Sequence, residues 1–153
     1  ADGSALVGEP LVDEMGGEDV SESIECFSVV YEYYTDGDAT RAGVTKYTPV
    51  TIRKRVDRSS PLLAQALESG STITGVIKFF DRDPDSGLMR NFYTLALANA
   101  RITAIRSWLP DTLDAASSNL PKLEEISIVY DSLILASETG GAEATVGPQE
   151  AAH

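Results

Sequence analysis

Residues 48–98 read TPVTIRKRVDRSSPLLAQALESGSTITGVIKFFDRDPDSGLMRNFYTLALA, and this stretch decides the fold. Val50 to Val56 has the composition of a strand and runs directly into a helix signal. Ser60 suits the N-cap, where a hydroxyl accepts a backbone N–H that has no partner inside the helix. Pro61 suits the first helical position, which needs no N–H. Gly70 suits the left-handed residue just past the end. The spacing predicts a helix over about residues 61–69, with Leu62, Leu63, Ala66 and Leu67 on one face. A helix that short is not stable alone, so its leucines must lie on a sheet. A hairpin follows: Ile73 to Phe80, a polar turn, then Asn91 to Ala98.

Outward from this centre the chain keeps a strand rhythm. Ser23 to Tyr34 reads as one strand, apolar on both sides and so expected to be covered on both faces. Residues 35–48, TDGDATRAGVTKYT, form a polar loop with two glycines. It is longer than the two to five residues usual between hairpin strands, and loops of that length are functional or mobile. Ala100 to Trp108 is a further strand, residues 109–123 an irregular loop with two prolines, and Glu124 to Ala136 the last strand. Ala5-Leu6-Val7 and Leu11-Val12 read as a short strand and an irregular crossing. Residues 137–153 read as a flexible acidic C-terminal tail. One domain over 1–136, mainly β, with six or seven strands and one helix, argues for an antiparallel sandwich or barrel.

Composition narrows the function. A chain of 153 residues fits a single domain. No apolar run approaches the roughly 18 residues that span a bilayer, so membrane insertion is not expected. The net charge of −12 is unevenly spread. Residues 1–40 carry eleven acids and no Lys or Arg, residues 41–122 all twelve bases with seven acids, and residues 123–153 six acids and no base. Nucleic acid is an unexpected partner for so acidic a chain; a surface with opposite poles is the better expectation. Arg53, Lys54, Arg55 and Arg58 are either a solvated strand face or a charged assembly surface. With so many acids in the same molecule, self-association is the better binding reading, because contacts between two different patches build rings or filaments.

The residues for catalysis are thin. The one histidine is His153, the last residue, which removes Ser-His-Asp, Cys-His and His-based zinc sites together. Cys26 is the lone cysteine and is expected to be a buried strand residue. Asp81-Arg82-Asp83-Pro84-Asp85-Ser86-Gly87 has the rhythm of a calcium loop, but the sixth and twelfth positions are Ser86 and Phe92 rather than Gly and Glu. Its residues are those that turns favour. Glu124-Glu125 and Asp13-Glu14 are adjacent pairs, and neighbours on a strand point to opposite faces, so neither pair alone is an acid/base couple. A pair drawn from distant segments stays open. Trp108, Tyr31, Tyr33, Tyr34 and Phe92 at strand spacing read as core or subunit interface rather than a ligand pocket. No catalytic, cofactor or metal site is expected.

The run TKYTPVTIRKRVDRSSPLLAQALESG resembles the centre of the haemolysin-coregulated protein family, Hcp. In that family a basic strand, a helix start of the form D-K/R-S/A-S-P-x-L and a helix ending in Gly come in this order. Here the start is Asp57-Arg58-Ser59-Ser60-Pro61-Leu62-Leu63, and Phe92-Tyr93-Thr94-Leu95 resembles the second strand of the hairpin. The similarity runs from about Val44 to Leu135 and is weaker over residues 5–34, where Val7-Gly8-Glu9 corresponds to an early G-E-S segment. No single motif is diagnostic; the order and spacing carry the likeness. The resemblance implies a compact two-sheet β-barrel with one flanking helix, and a non-enzymatic tube subunit of the type VI secretion system. Six copies would close into a ring, and rings would stack into a hollow tube with effector cargo in its lumen. Sheath and baseplate proteins and a VgrG-like spike would be the other partners. The 35–48 loop, with Asp36, Asp38, Arg41 and Lys46, would lean onto the next ring. The protein would be made in the bacterial cytoplasm and exported through the apparatus without a signal peptide; the chain as numbered opens at Ala1, which leaves a removed leader open. The alternatives are a tail-tube subunit of a phage or other contractile particle, a carboxylate-dependent hydrolase, and a small β-barrel binding module.

Overall fold

A computed structural model describes residues 5–148 of the chain. In chain order its elements are β1 (Glu14–Met15), β2 (Glu18–Asp19), β3 (Cys26–Val30), β4 (Tyr33–Thr35), β5 (Thr45–Tyr47), β6 (Val50–Arg55), α1 (Ser59–Ser69), β7 (Ile73–Arg82), β8 (Met89–Trp108), β9 (Leu123–Val129), β10 (Ser132–Ser137) and β11 (Glu143–Val146). The protein is mainly β, a curled antiparallel barrel with one helix, as expected.

Strand β8 is the spine. Its first half lies between β7 and β10, with β11 beyond β10. Its second half pairs with β9, followed by β6 and β3. Two four-stranded sheets thus share one strand of twenty residues, where the sequence had suggested two separate strands. The bend between the halves falls at Asn99, whose φ of 49° is left-handed, a conformation asparagine tolerates better than most residues. The neighbouring strand breaks at the same level. Tyr130 and Asp131 divide β9 from β10, so the single strand expected over 124–136 is two strands, one in each sheet. Burial passes from Ile126, Ile128 and Tyr130 to Leu133 and Leu135 across that break, an odd step that period-two alternation does not allow.

The core fills the angle between the sheets. Val50, Leu95, Ala100, Ile126 and Leu133 have no exposed surface. Helix α1 closes the open side by burying Leu63 and Ala66, with Leu67 packed partly against them and Leu62 half-buried at the margin. The helix ends as expected: Gly70 has φ 63°, its N–H reaches the Leu67 carbonyl, and the Ser71 N–H reaches the Ala66 carbonyl, each at 3.2 Å. These are the two bonds of a Schellman stop.

Its start differs from the expected one. The first helical residue is Ser59, and Ser60 is not the cap. The Asp57 carboxylate accepts the Ser59 N–H at 2.9 Å, while the Ser60 hydroxyl accepts the Asp57 N–H at 3.0 Å. The cap position itself is Arg58, which makes no side-chain cap bond, so Asp57 and Ser60 brace the helix start from either side of it. Pro61 is the third helical residue, still within the first turn whose N–H groups lack intrahelical partners.

Three further expectations change. The strand expected over Ser23 to Tyr34 is broken at Tyr31 and Glu32 into β3 and β4. Strand β3 is not covered on both sides either: Phe27 is 52% and Val30 59% exposed. Residues 143–146, placed in the expected tail, form β11, which pairs with β10 from Leu133↔Val146 to Ala136↔Glu143. His153 lies outside the described residues. At the other end, residues 5–10 form no strand; the first strands are the β1–β2 hairpin, turned by Gly16 and Gly17 at φ 60° and 81°.

Candidate functional site

The four basic residues singled out in the sequence have different fates. Lys54 is fully buried. Its ammonium lies 2.5 Å from Glu124 Oε1, 2.8 Å from the Arg55 carbonyl and 3.0 Å from Asp57 Oδ1, so its three protons have three acceptors. The Ser60 hydroxyl donates to the same Glu124 oxygen at 2.6 Å. This cluster ties β6 and β9 to the start of α1 and takes Lys54 out of any surface. Helix dipoles favour acids at an N-terminus, which suits Asp57. Burial pushes the Asp57 carboxyl up, but hydrogen bonds from the Ser59 hydroxyl, the Lys54 ammonium and the amides of Glu9 and Ser59 outweigh it and hold the group below its usual 3.8. Glu9 also accepts the Arg58 N–H at 2.7 Å, and Arg58 Nε donates to the Gly8 carbonyl at 2.7 Å. The Gly8-Glu9 segment is therefore docked on the helix start.

Arg53 points the other way. Its side chain is 54% exposed, its Nε donates to Glu125 Oε2 at 2.9 Å, and its guanidinium lies 5.9 Å from the Trp108 ring centre. Arg106 lies over the same ring at 5.0 Å. Arg55 is partly buried, bonded to Glu25 at 2.6 Å and lying over Phe27. The outer face of the β8–β9–β6–β3 sheet is thus polar and cationic, with Arg53, Arg101 and Arg106 exposed. Both edges of this sheet are free among the described residues: β3 pairs only with β6, and Arg101 to Trp108 of β8 pair only with β9.

The 35–48 stretch is a structured arm rather than a loose loop. Strands β4 and β5 pair as a ribbon from Tyr33↔Tyr47 to Thr35↔Thr45. Its root is held by the Tyr130 hydroxyl, which donates to the Thr48 carbonyl at 3.0 Å, and by Tyr33, whose ring stacks on Tyr31 and meets Tyr47 at a tilt. Asp36 accepts the Val44 N–H at 2.9 Å, and Asp38 accepts from Thr40 and Arg41. Gly37 and Gly43 tighten this neck. A Cβ on Gly43 would collide with the Asp36 carboxylate and the Gly37 nitrogen, and a Cβ on Gly37 with the Gly43 nitrogen. Arg41 and Lys46 are exposed and form no ion pair among the described residues.

The remaining candidates are structural. The 81–87 stretch is the β7–β8 turn: Asp83 accepts from the Asp85 amide and the Ser86 hydroxyl, and Gly87 takes φ 74°. Cys26 lies on β3 as expected but is half-buried rather than buried; its partial burial still pushes the thiol up to about 11, with Lys54 pulling the other way. Glu124 and Glu125 lie on opposite faces of β9, as adjacency requires, each with its own cation. Sequence reasoning missed those two pairings, although RK at 53–54 and EE at 124–125 were the visible signal. No helix among the described residues is long and apolar enough to cross a membrane.

A curled antiparallel barrel with one flanking helix and a two-stranded arm defines an Hcp-fold protein. Hcp1 from E. coli EAEC 042 superposes with a TM-score of 0.77 at 22% identity, over 95% of this chain and 92% of that one. Hcp3 from Pseudomonas aeruginosa, a secreted protein, gives 0.72 at 19% identity over the same shares. At those identities the likeness is one of fold. The "Major exported protein" of Pseudomonas aeruginosa is 30% identical over 99 residues, 65% of this chain and 58% of the relative, so the match spans less than two-thirds of its length. The family described as "Type VI secretion system effector, Hcp" matches residues 16–135, and the chain belongs to it.

Proposed function

We propose that this protein is a non-enzymatic tube subunit of a type VI secretion system, closing into hexameric rings that stack into a hollow tube and are exported through the apparatus. Effector cargo would ride in the lumen. A VgrG-like spike, the sheath and the baseplate would be its other partners. Family membership supports the system. The observation that carries the assembly reading is the pair of free edges on the β8–β9–β6–β3 sheet. An edge strand presents unpaired N–H and C=O groups that template addition of another chain. Two different edges on opposite sides of one sheet make a heterologous contact, which closes into a ring when the rotation allows. The exposed Phe27 and Val30 on β3 add apolar surface to one of those edges. Arg53, Arg55 and Arg58 remain candidates for the charged assembly surface, and Asp36, Asp38, Arg41 and Lys46 for contact between rings.

Light scattering on dilute protein tests this. The expected species has about six times the monomer mass, and negative-stain images of it show rings. A strictly monomeric solution across micromolar concentrations would sink the reading.

A further inference from the structure

The loop between β8 and β9 is the least explained surface of the molecule. Leu113 is 95% exposed, and Leu109 and Leu120 are 61% and 46% exposed. The loop is nevertheless ordered by its own bonds. Successive turns close from Asp114 N–H to the Asp111 carbonyl, Ser117 to Asp114, and Leu120 to Ser117, at 3.2, 3.0 and 3.1 Å. The Asp111 and Asp114 carboxylates accept the Leu113 and Ala116 amides. The loop thus presents three exposed leucines beside two acids on a backbone held by its own bonds, a combination of apolar and acidic chemistry that a partner could cover. Lys122 is the one cation of the loop and sits at its base, where its carbonyl accepts the Val56 N–H.

The complementary chemistry lies on the arm. Tyr34 and Lys46 are directly opposed in the β4–β5 ribbon and so share a face. Val44, 65% exposed, lies two residues along from Lys46. That face offers an aromatic ring, an aliphatic side chain and an ammonium; the loop offers leucines and carboxylates. The two do not meet within one chain. Val50↔Ile128 places the arm root at one end of the β6–β9 pair, and Arg55↔Leu123 places the loop at the other, about 17 Å away at 3.3 Å per residue. The exposure of Leu113, Val44 and Tyr34 shows that the arm does not fold back to close that gap.

We propose that the Leu109–Lys122 loop of one copy is the seat for the Tyr34, Val44 and Lys46 face of the arm of a second copy. The contact joins opposite ends of two molecules and is therefore head to tail. It rests on the self-assembly proposed above and names both sides of one contact between rings.

Mixed disulfide trapping tests it. Protein carrying Lys46→Cys is mixed with protein carrying Asp114→Cys and mildly oxidised; Asp85→Cys, on the β7–β8 turn, replaces Asp114→Cys in the control. Cys26 is common to all samples and stays a thiol. The 46–114 product is expected to form at least five-fold faster than 46–85 or either self-pair. Light scattering on the same samples separates the two readings. Ring mass with equal trapping rates overturns the loop as seat and leaves the ring; monomers with no trapping remove both. As a second arm, Lys46→Glu should lower stacking of wild-type rings and regain it when mixed with Asp111→Lys, Asp114→Lys protein. Failure of that rescue despite preferential trapping would also count against the charge match and overturn the proposed face.

Discussion

Arg53 and Lys54 are neighbours on β6, and their partners Glu125 and Glu124 are neighbours on β9, in register. One pair lies on the open face of the sheet, with side chains 54% and 24% exposed; the other lies beneath the helix, at 0% and 4%. The chemistry of the two pairs is nearly the same, and the pleat alone separates them. On the open face water competes with the bond, so it contributes little. Under the helix both charges have left water, and the pair holds only because Asp57, Ser60 and the Arg55 carbonyl complete its hydrogen bonds. A run of charge in a strand is therefore not one surface. Half of it can be the most constrained polar group in the fold.

The largest effect belongs to the buried side. Glu124→Ala leaves the Lys54 ammonium buried with Asp57 as its one carboxylate. Removing one partner of a buried pair costs about 3–5 kcal/mol. Urea unfolding followed by Trp108, the single tryptophan, should show a fall in stability at the low end of that range, because Asp57 remains. A loss under about 1 kcal/mol would mean that the cluster opens to water and that the contrast between the faces is false.

Acid sharpens the contrast at an intermediate scale. Asp57 is held below 3.8 in the folded protein, so folding favours its charged form. Its contribution is fully present above 3.8 and is lost as the pH falls through the lower folded value. Wild type should therefore lose stability more steeply below pH 3.8 than Asp57→Asn, which has already forfeited this contribution at neutral pH. Asp19, Asp38 and Asp83 are also held low, through bonds from Ser21, Thr40 and the Asp85 amide, but they act alike in both proteins. Parallel acid limbs in denaturant titrations would show that Asp57 is not held by the cluster.

Much of this was legible in the sequence, and the misses share a cause. The strand, helix and hairpin of residues 50–98 follow from local signals: Gly70, the leucine spacing and the Asp-Pro-Ser-Gly turn act over a few residues. The bend at Asn99 and the break at Tyr130 were hidden because they belong to closure of one sheet on another, a demand set by strands far apart in the chain. The fate of Lys54 was hidden for the same reason. Its burial depends on Glu124, seventy residues away, and on a helix that reads locally as covering only leucines. Gly37 and Gly43 read in the sequence only as two glycines of a polar loop, yet each admits the close approach of the other. A glycine in a sequence does not say which role it has.

The smallest effect is the most informative about function. The Arg53–Glu125 pair is exposed, so a double-mutant cycle of Arg53→Ala and Glu125→Ala should give a coupling of about 0.2–1 kcal/mol. That coupling should shrink as salt rises, since exposed charges are screened over about 10 Å at 0.1 M. Arg53 also lies over Trp108, and the cycle removes that contribution because it appears in both legs carrying the Arg53 change. The fold should survive each change, unlike Glu124→Ala. Ring mass measured on the same four proteins then reads a second quantity. If Arg53 serves only its neighbour on β9, all four assemble alike. If it belongs to the charged assembly surface, Arg53→Ala loses ring mass at a concentration where its unfolding midpoint has scarcely moved. A coupling of several kcal/mol would instead mean that this face is covered within the single subunit, and that the open side of the sheet has been assigned to the wrong face.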